Sequence, residues 1–432
     1  MSTVKHGIDR VRATFDDESL VADAGLILAA TLVARLGLES LIDSTLRLVG
    51  RVGGACPGRK VLTLVHAMVA DAGCIDDANR LRAGSTGAVL GHRVMAPSTL
   101  GTFLRAFSFG HVRQLEAVVG KAIERAWGLG AGPTGTLIID VDSTICEVYG
   151  NHKHGAVYGY TRVLGYHPLL ATRADTGEVL HARLRKGSAN SARGIVRFVD
   201  ELLARVARAG GGDAIIVRAD SGFYQHKLLN RLSKAGVGFS VTIHQRAPVR
   251  TAIDAIAETA WQRIAYPDGE AAIAECVYGA RRLIVRRVRN HHGPQQQLFP
   301  TWRYHAFITN LAGSAWALDQ QHRAHAVVEL SIRDLKAGPL AHLPSGSFHA
   351  NSAWLQCAVL AHNLLRWTAT LGKLRTDELI VAKTFRRRYL NIPGRLVNRS
   401  GTPTLRLPAR WPWANPFTTA LDALRTLPSA PD

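Results

Sequence analysis

Thr136–Thr144, TLIIDVDST, is the stretch on which the fold turns. Leu137, Ile138, Ile139 and Val141 form a β-branched apolar run of the kind that makes a buried central strand. Strand side chains alternate, so Asp140 and Asp142 share one face. Two readings follow: Asp142 is the functional member of the pair, or Asp142-Ser143-Thr144 is a strand-end turn and Asp140 is functional.

On the N-terminal side, Gly130–Gly135 (GAGPTG) marks a change of period. Before it, residues 19–130 have helical spacing, in LVADAGLILAATLVARLGLESLI from Leu20, KVLTLVHAMVADAG from Lys60 and VRQLEAVVGKAIERAW from Val112. APSTLGTFLRAF from Ala96 reads as a further helix start with Ser98 as N-cap. Short helices with a tight connection suit either a helix-turn-helix DNA reader or a plain packing unit. Residues 1–18 are polar and expected to be loose.

On the C-terminal side, YHPLLATR (166–173) and EVLHARLR (178–185) are extended, and Asp175-Thr176-Gly177 between them is a hairpin signal. An amphipathic helix over 191–209 leads to a second buried strand, AIIVRAD (214–220), which ends on Asp220. Asp220-Ser221-Gly222 also reads as a helix N-cap. GFSVTI (238–243) closes a mixed α/β sheet over 131–244. Residues 245–310 read mostly as strands, AAIAECVYG, RRLIVRRVRN and RYHAFITN, and form a β-rich insertion. A core segment over 311–372 and a basic region over 373–432 follow.

The core segment contains Gln321–Gly338, QHRAHAVVELSIRDLKAG. As one helix it places His322, His325, Glu329, Arg333 and Lys336 within a stripe roughly 80° wide, with Ala324, Val328, Ile332 and Leu335 on the adjoining flank. A solvated Glu329–Arg333 ion pair explains such a stripe as well as chemistry does. SAWLQCAVLAHNLLRWTATL (352–371) is an apolar helix expected to pack on the sheet.

Composition narrows the partner. The 432 residues carry 53 Lys plus Arg against 33 Asp plus Glu, a net charge of +20, which makes nucleic acid the default partner. Arg286 and Arg287 in the insertion, and Arg386, Arg387, Arg388 and Arg395 in the tail, are candidates for phosphate contact. Trp261 and Trp302 are candidates for stacking on a displaced base. No span is apolar enough for a bilayer. Five dispersed cysteines without a CxxC pair fit a reducing cytoplasm rather than zinc or disulfides.

Asp142, Asp220 and Glu329 then form a constellation. Two strand carboxylates side by side repel unless a cation lies between them. Mg²⁺ or Mn²⁺ takes such oxygen donors, and two ions together support in-line displacement at phosphorus. The segments IDVDST, YGYTRVLGYHPLLAT from Tyr158, RADSGF and HRAHAVVELSIRDLK resemble those of DDE transposases of the IS1380 family, in the IS4-like group with an RNase H-like core. The resemblance spans roughly residues 19–400. It implies that Asp142, Asp220 and Glu329 are the metal-binding catalytic triad and that the region after Ile243 is the insertion between the second and third acids. It also implies a bacterial, nucleoid-associated protein that binds transposon ends and target double-stranded DNA, as a homodimer when ends are paired.

The group's Tyr-x2-Arg-x3-Glu-x6-Lys signature is kept at Glu329 and Lys336, with His322 and His325 in place of Tyr and Arg. Lys336, Arg333, Arg323, His325 and His322 are thus the expected phosphate contacts. An RNase H-like endonuclease without strand transfer, and a non-catalytic DNA-binding protein, are the alternatives.

Overall fold

The computed structural model describes residues 8–150, 152–159, 161–212, 214–267, 269–289, 302–341, 343–374 and 379–430. A two-residue strand β1 (Leu20–Val21) precedes helices α1 (Leu26–Arg35), α2 (Leu38–Thr45), α3 (Pro57–Val69), α4 (Thr86–Leu90), α5 (Pro97–Arg105) and α6 (Phe109–Ala126). The cap of α5 is Ala96 rather than Ser98, with Pro97 as the first helical residue. Proline lacks an N–H and has a fixed φ, which suits the first turn and moves the boundary back. Leu100, Phe103 and Leu104 of α5 are buried against α3 and a later helix.

Next come β2 (Leu137–Ser143), β3 (Cys146–Glu147), β4 (Val157–Tyr158), β5 (Leu164–Tyr166), β6 (Leu169–Arg173), β7 (Val179–Arg183), α7 (Ile195–Arg208), β8 (Ile215–Ala219), α8 (His226–Lys234) and β9 (Gly238–Thr242). They are followed by α9 (Ala247–Asp254), β10 (Gln262–Ile264), β11 (Glu270–Tyr278), β12 (Arg281–Arg289) and β13 (Arg303–Thr309). The main sheet has the order β10-β11-β12-β13-β9-β8-β2-β6-β7. β8 lies parallel to both β2 and β9; β6 is antiparallel to β2, and β7 to β6. β2 is therefore central, with Leu137, Ile139 and Val141 buried.

The strands after Ile243 do not form a separate module. β13 pairs antiparallel with β9, Ile308 opposite Val241, so the insertion extends the sheet that carries the acids. Asn290, the end of one expected strand, lies outside the described residues.

The hairpin expected at Asp175–Gly177 links β6 to β7. Gly177 has φ +69, and a Cβ there would lie 2.7 Å from Ser331 Oγ. Ser331 in turn donates to the Gly177 carbonyl at 3.0 Å. This turn is the seat of the helix that carries Glu329.

The expected continuous helix over 321–338 is broken into α10 (Ala315–Arg323), a 3-10 turn (Ala324–Ala326) and α11 (Val327–Lys336). The cause is Arg218 of β8. Its guanidinium donates to the carbonyls of Gln321 and, at 3.1 Å, Ala324, which an uninterrupted helix would use for its own N–H groups. The side chains therefore leave the common stripe.

The last elements are α12 (Phe348–Leu371), α13 (Ala382–Phe385), β14 (Gly394–Arg399), β15 (Thr402–Arg406) and α14 (Ala414–Thr426). α12 is buried over nearly its whole length and packs on α1, α3, α5, α6 and β7, so the helical unit and the sheet share one core. The basic tail folds back on the N-terminal unit: β14 pairs with β1 and α14 packs on α1. Among the described residues no helix is long and apolar enough to cross a membrane.

Candidate active site

β2 and β8 run in parallel register up to Val141 opposite Ala219. The next residue in each chain is Asp142 and Asp220, side by side at the carboxyl ends of neighbouring strands. Strands in a sheet lie ~4.8 Å apart. Asp142 Oδ1 accepts from the Ser143 N–H at 2.6 Å. Asp220 Oδ1 accepts from the Gly222 N–H at 2.9 Å and caps a 3-10 turn over Ser221–Phe223, so its capping role is real and leaves the second oxygen available. Glu329 is exposed in the first turn of α11, which packs over β2 and β6.

Burial pushes the Asp142 carboxyl up to about 6, and the negative charges of Asp220 and Glu329 add to the rise. The Ser143 N–H and His325 act in the opposite direction. The three carboxylates therefore share one electrostatic neighbourhood, in which a cation would relieve the repulsion. Two aspartates and a glutamate are hard oxygen donors, and their chemistry fits Mg²⁺ or Mn²⁺. Among the described residues no three His, Cys, Asp or Glu side chains are gathered around a single point. The donors are present and the closed coordination shell is not formed.

Behind the aspartates, on the same face of the sheet, lies a buried ion pair. Arg218 Nε donates to Asp140 Oδ1 at 2.6 Å and Nη2 to Oδ2 at 2.8 Å, and both residues are almost wholly enclosed. His325 Nδ1 lies 2.8 Å from Asp140 Oδ1. Strand alternation places Asp140 two residues behind Asp142 and Arg218 two behind Asp220. One bidentate pair thus fixes both acid-bearing strands and the α10–α11 junction. Arg218 was missed in the sequence, although a charged residue inside AIIVRAD on the same strand face as Asp220 was the available signal.

A second brace runs from Ser143. His167 Nδ1 donates to the Ala189 carbonyl at 2.6 Å, leaving Nε2 to accept from the Ser143 hydroxyl at 2.9 Å. Burial lowers the His167 pKa, in keeping with a neutral ring. The Ser143 and Ser191 hydroxyls are 3.3 Å apart, and Ser191 presses on Gly222, where a Cβ would meet it at 3.0 Å.

The expected phosphate contacts separate into two groups. Arg333 and Lys336 are exposed on α11, and Arg323 lies over the Tyr266 ring at 5.6 Å. His322 is turned away: it stacks on Phe307 at 4.3 Å and bonds Ser240 and, at 3.0 Å, Thr242, while burial holds its pKa down to about 3. His325 is engaged with Asp140. The helix break accounts for both placements.

The arginine candidates also divide. Arg286 is paired with Asp319 at 2.7 Å. Arg287 is paired with Glu258 and held between Trp261 and Trp302, 4.3 and 4.5 Å from their ring centres. Both indoles thus stack on a guanidinium within the chain. Arg386 corrects the expectation most clearly: it is buried, bonded to the Met68 and Val69 carbonyls at 3.0 and 2.8 Å and paired with Asp71 at 2.7 Å. Arg387 is exposed, Arg388 lies over Trp413 at 5.6 Å, and Arg395 pairs with Asp17.

A mixed α/β sheet with carboxylates at the ends of adjacent central strands, and a third on the helix packed over them, defines a class of acid-bearing α/β protein. The profile of the family "Transposase DDE domain group 1" matches residues 4–429, and the chain belongs to that family of DDE transposases. Membership implies a nuclease and transesterification enzyme, and DDE transposases generally use divalent metal ions. Among solved structures, the piggyBac transposase synaptic complex with hairpin DNA is similar over 85% of this chain and 79% of that chain, at 11% identity and a TM-score of 0.49. Comparison with curated proteins returned no match.

Proposed function

We propose that this chain is the transposase of an insertion sequence, with Asp142, Asp220 and Glu329 as its triad. The observation that supports this best is the common electrostatic neighbourhood of the three carboxylates beside the ends of two parallel central strands. The strand order β7-β6-β2-β8-β9, antiparallel on one side of β2 and parallel on the other, supports an RNase H-like core, extended here by four further strands. Two Mg²⁺ or Mn²⁺ ions held by the triad would supply electrostatic stabilisation of the charge that develops at phosphorus.

The chain's own residues do the rest. Asp142 and Asp220 set the negative floor of the site, and Ser143, His167 and Arg218 hold the strand ends that carry them. Glu329 closes the site from α11. Lys336 and Arg333, exposed on that helix, take backbone phosphate near the scissile bond. The double-stranded DNA partners are transposon terminal inverted repeats and target DNA. The ends are cut and their 3′-hydroxyls joined to the target, within a homodimer that pairs two ends. IS1380 affiliation belongs to this reading.

The test is a cleavage and joining assay on duplex carrying the DNA that flanks the coding sequence. Asp142→Asn, Asp220→Asn and Glu329→Gln are each expected to abolish divalent-metal-dependent cleavage while leaving duplex binding intact. Cleavage retained by any one of them removes that residue from the triad. Cleavage without joined products makes the protein an endonuclease.

A further inference from the structure

The segment from Arg185 to Gly194 joins β7 to α7. One side is bonded to the acid-bearing end of the sheet through Ala189 and Ser191. The other lines a cleft of about 480 Å³. Arg183, Arg185, Lys186, Arg193 and Arg197 line this cleft, and no acid does. Nearby acids do not balance them: Arg113, Arg183 and Arg197 share Glu116 and Glu201.

Two of these cations have unused capacity. Arg185 is not one of them: it braces the segment from within, donating to the carbonyls of His167, Asn190, Ser191 and Arg193 at 2.9, 3.0, 2.9 and 3.2 Å. Lys186 and Arg193 are exposed, and among the described residues neither has an acidic partner. Two exposed cations without acidic partners, on a cleft wall lined by further arginines, are complementary to anionic oxygen. The cations are spread along the cleft wall over residues 183–197 rather than focused on one point, which suits a chain of phosphates more than a single small anion.

We propose that this cleft binds backbone phosphates of the DNA strand that runs past Asp142 and Asp220, with Lys186 and Arg193 as the contacts and Arg185 bracing the segment that carries them. The proposal rests on the transposase reading and adds a subsite to it. Because the 185–194 segment is also bonded to Ser143, strand binding in the cleft and the position of Asp142 share one piece of backbone.

The test is fluorescence anisotropy of the full chain with labelled duplex from the flanking DNA, across a salt series. Lys186→Ala and Arg193→Ala each remove an exposed cation, so the fold is expected to survive; an unchanged melting temperature checks this. Removing one phosphate-bound cation lowers the slope of log affinity against log salt by ~0.9, so the double variant is expected to lose ~1.8. An unchanged slope in the double variant, with wild-type binding intact, overturns the cleft and leaves the transposase reading standing. Failure of the wild type to bind any duplex overturns both. Protection of Lys186 from acetylation by inorganic phosphate alone, as strong as that by duplex, assigns the cleft to a free anion and overturns the strand proposal.

Discussion

Among single residues, the two aspartates of β2 face opposite electrostatic demands. Asp140 has Arg218 against it, and Asp142 has Asp220 and Glu329. Because the folded Asp142 carboxyl titrates at about 6, above the unfolded value of 3.8, the native state holds its proton more tightly. Stability therefore falls as pH rises from about 4 to about 6, and the full cost applies above that window. Asp142→Asn is expected to raise the stability of the metal-free protein by about 1–3 kcal/mol near pH 8 and to change it little near pH 4. Thermal melts at the two pH values check this. Divalent ion should stabilise the wild type and lose that effect in Asp142→Asn and Asp220→Asn. Arg218→Met, which leaves the buried Asp140 with only His325 against it, is expected to cost ~3–5 kcal/mol, and adding Asp140→Leu to recover most of it. Urea denaturation of the single and double variants measures both.

Among elements, α11 is the least secured part of the site. It follows a 3-10 turn, exposes Glu329, Arg333 and Lys336, and is seated on the Gly177 turn. Gly177→Ala combines a left-handed φ with a 2.7 Å approach to Ser331 Oγ; it is expected to cost about 1–2 kcal/mol and to reduce cleavage more than duplex binding. Hydrogen exchange is expected to be faster in α11 than in α12. The helix break was not legible in QHRAHAVVELSIRDLKAG, because Arg218, which causes it, lies about a hundred residues away. Locally coded features were legible: the apolar run of β2, the Asp-Thr-Gly hairpin and the apolar length of α12. The strands of the insertion could also be read, but not their attachment, since the β13–β9 pairing has no local signal. For the arginines, composition gave the sum of charge but not its destination. Nothing in RRR at 386–388 says that the first faces Asp71 and the second faces solvent.

At the scale of the molecule, α12 joins the helical unit to the sheet, and the tail joins the two ends of the chain. The protein is expected to melt in a single transition by circular dichroism and by tryptophan fluorescence, since no boundary separates the helical unit from the core. Removing residues 394–430 would uncover α1 and the partners of Phe417, Ala420 and Leu424, all buried. At ~1.5–3 kcal/mol for each large side chain, the shortened chain is expected to be insoluble or strongly destabilised, which expression and a thermal melt would show. The shared helix also sets a timetable for synthesis. The apolar faces of α1, α3, α5 and α6 leave the ribosome first, and the wall they pack on follows roughly 220 residues after α6 and roughly 310 after α1, a wait of about 10–60 s at ~5–20 residues/s. During that interval the nascent chain carries open apolar faces, and chaperone demand should fall once residues 348–371 have emerged.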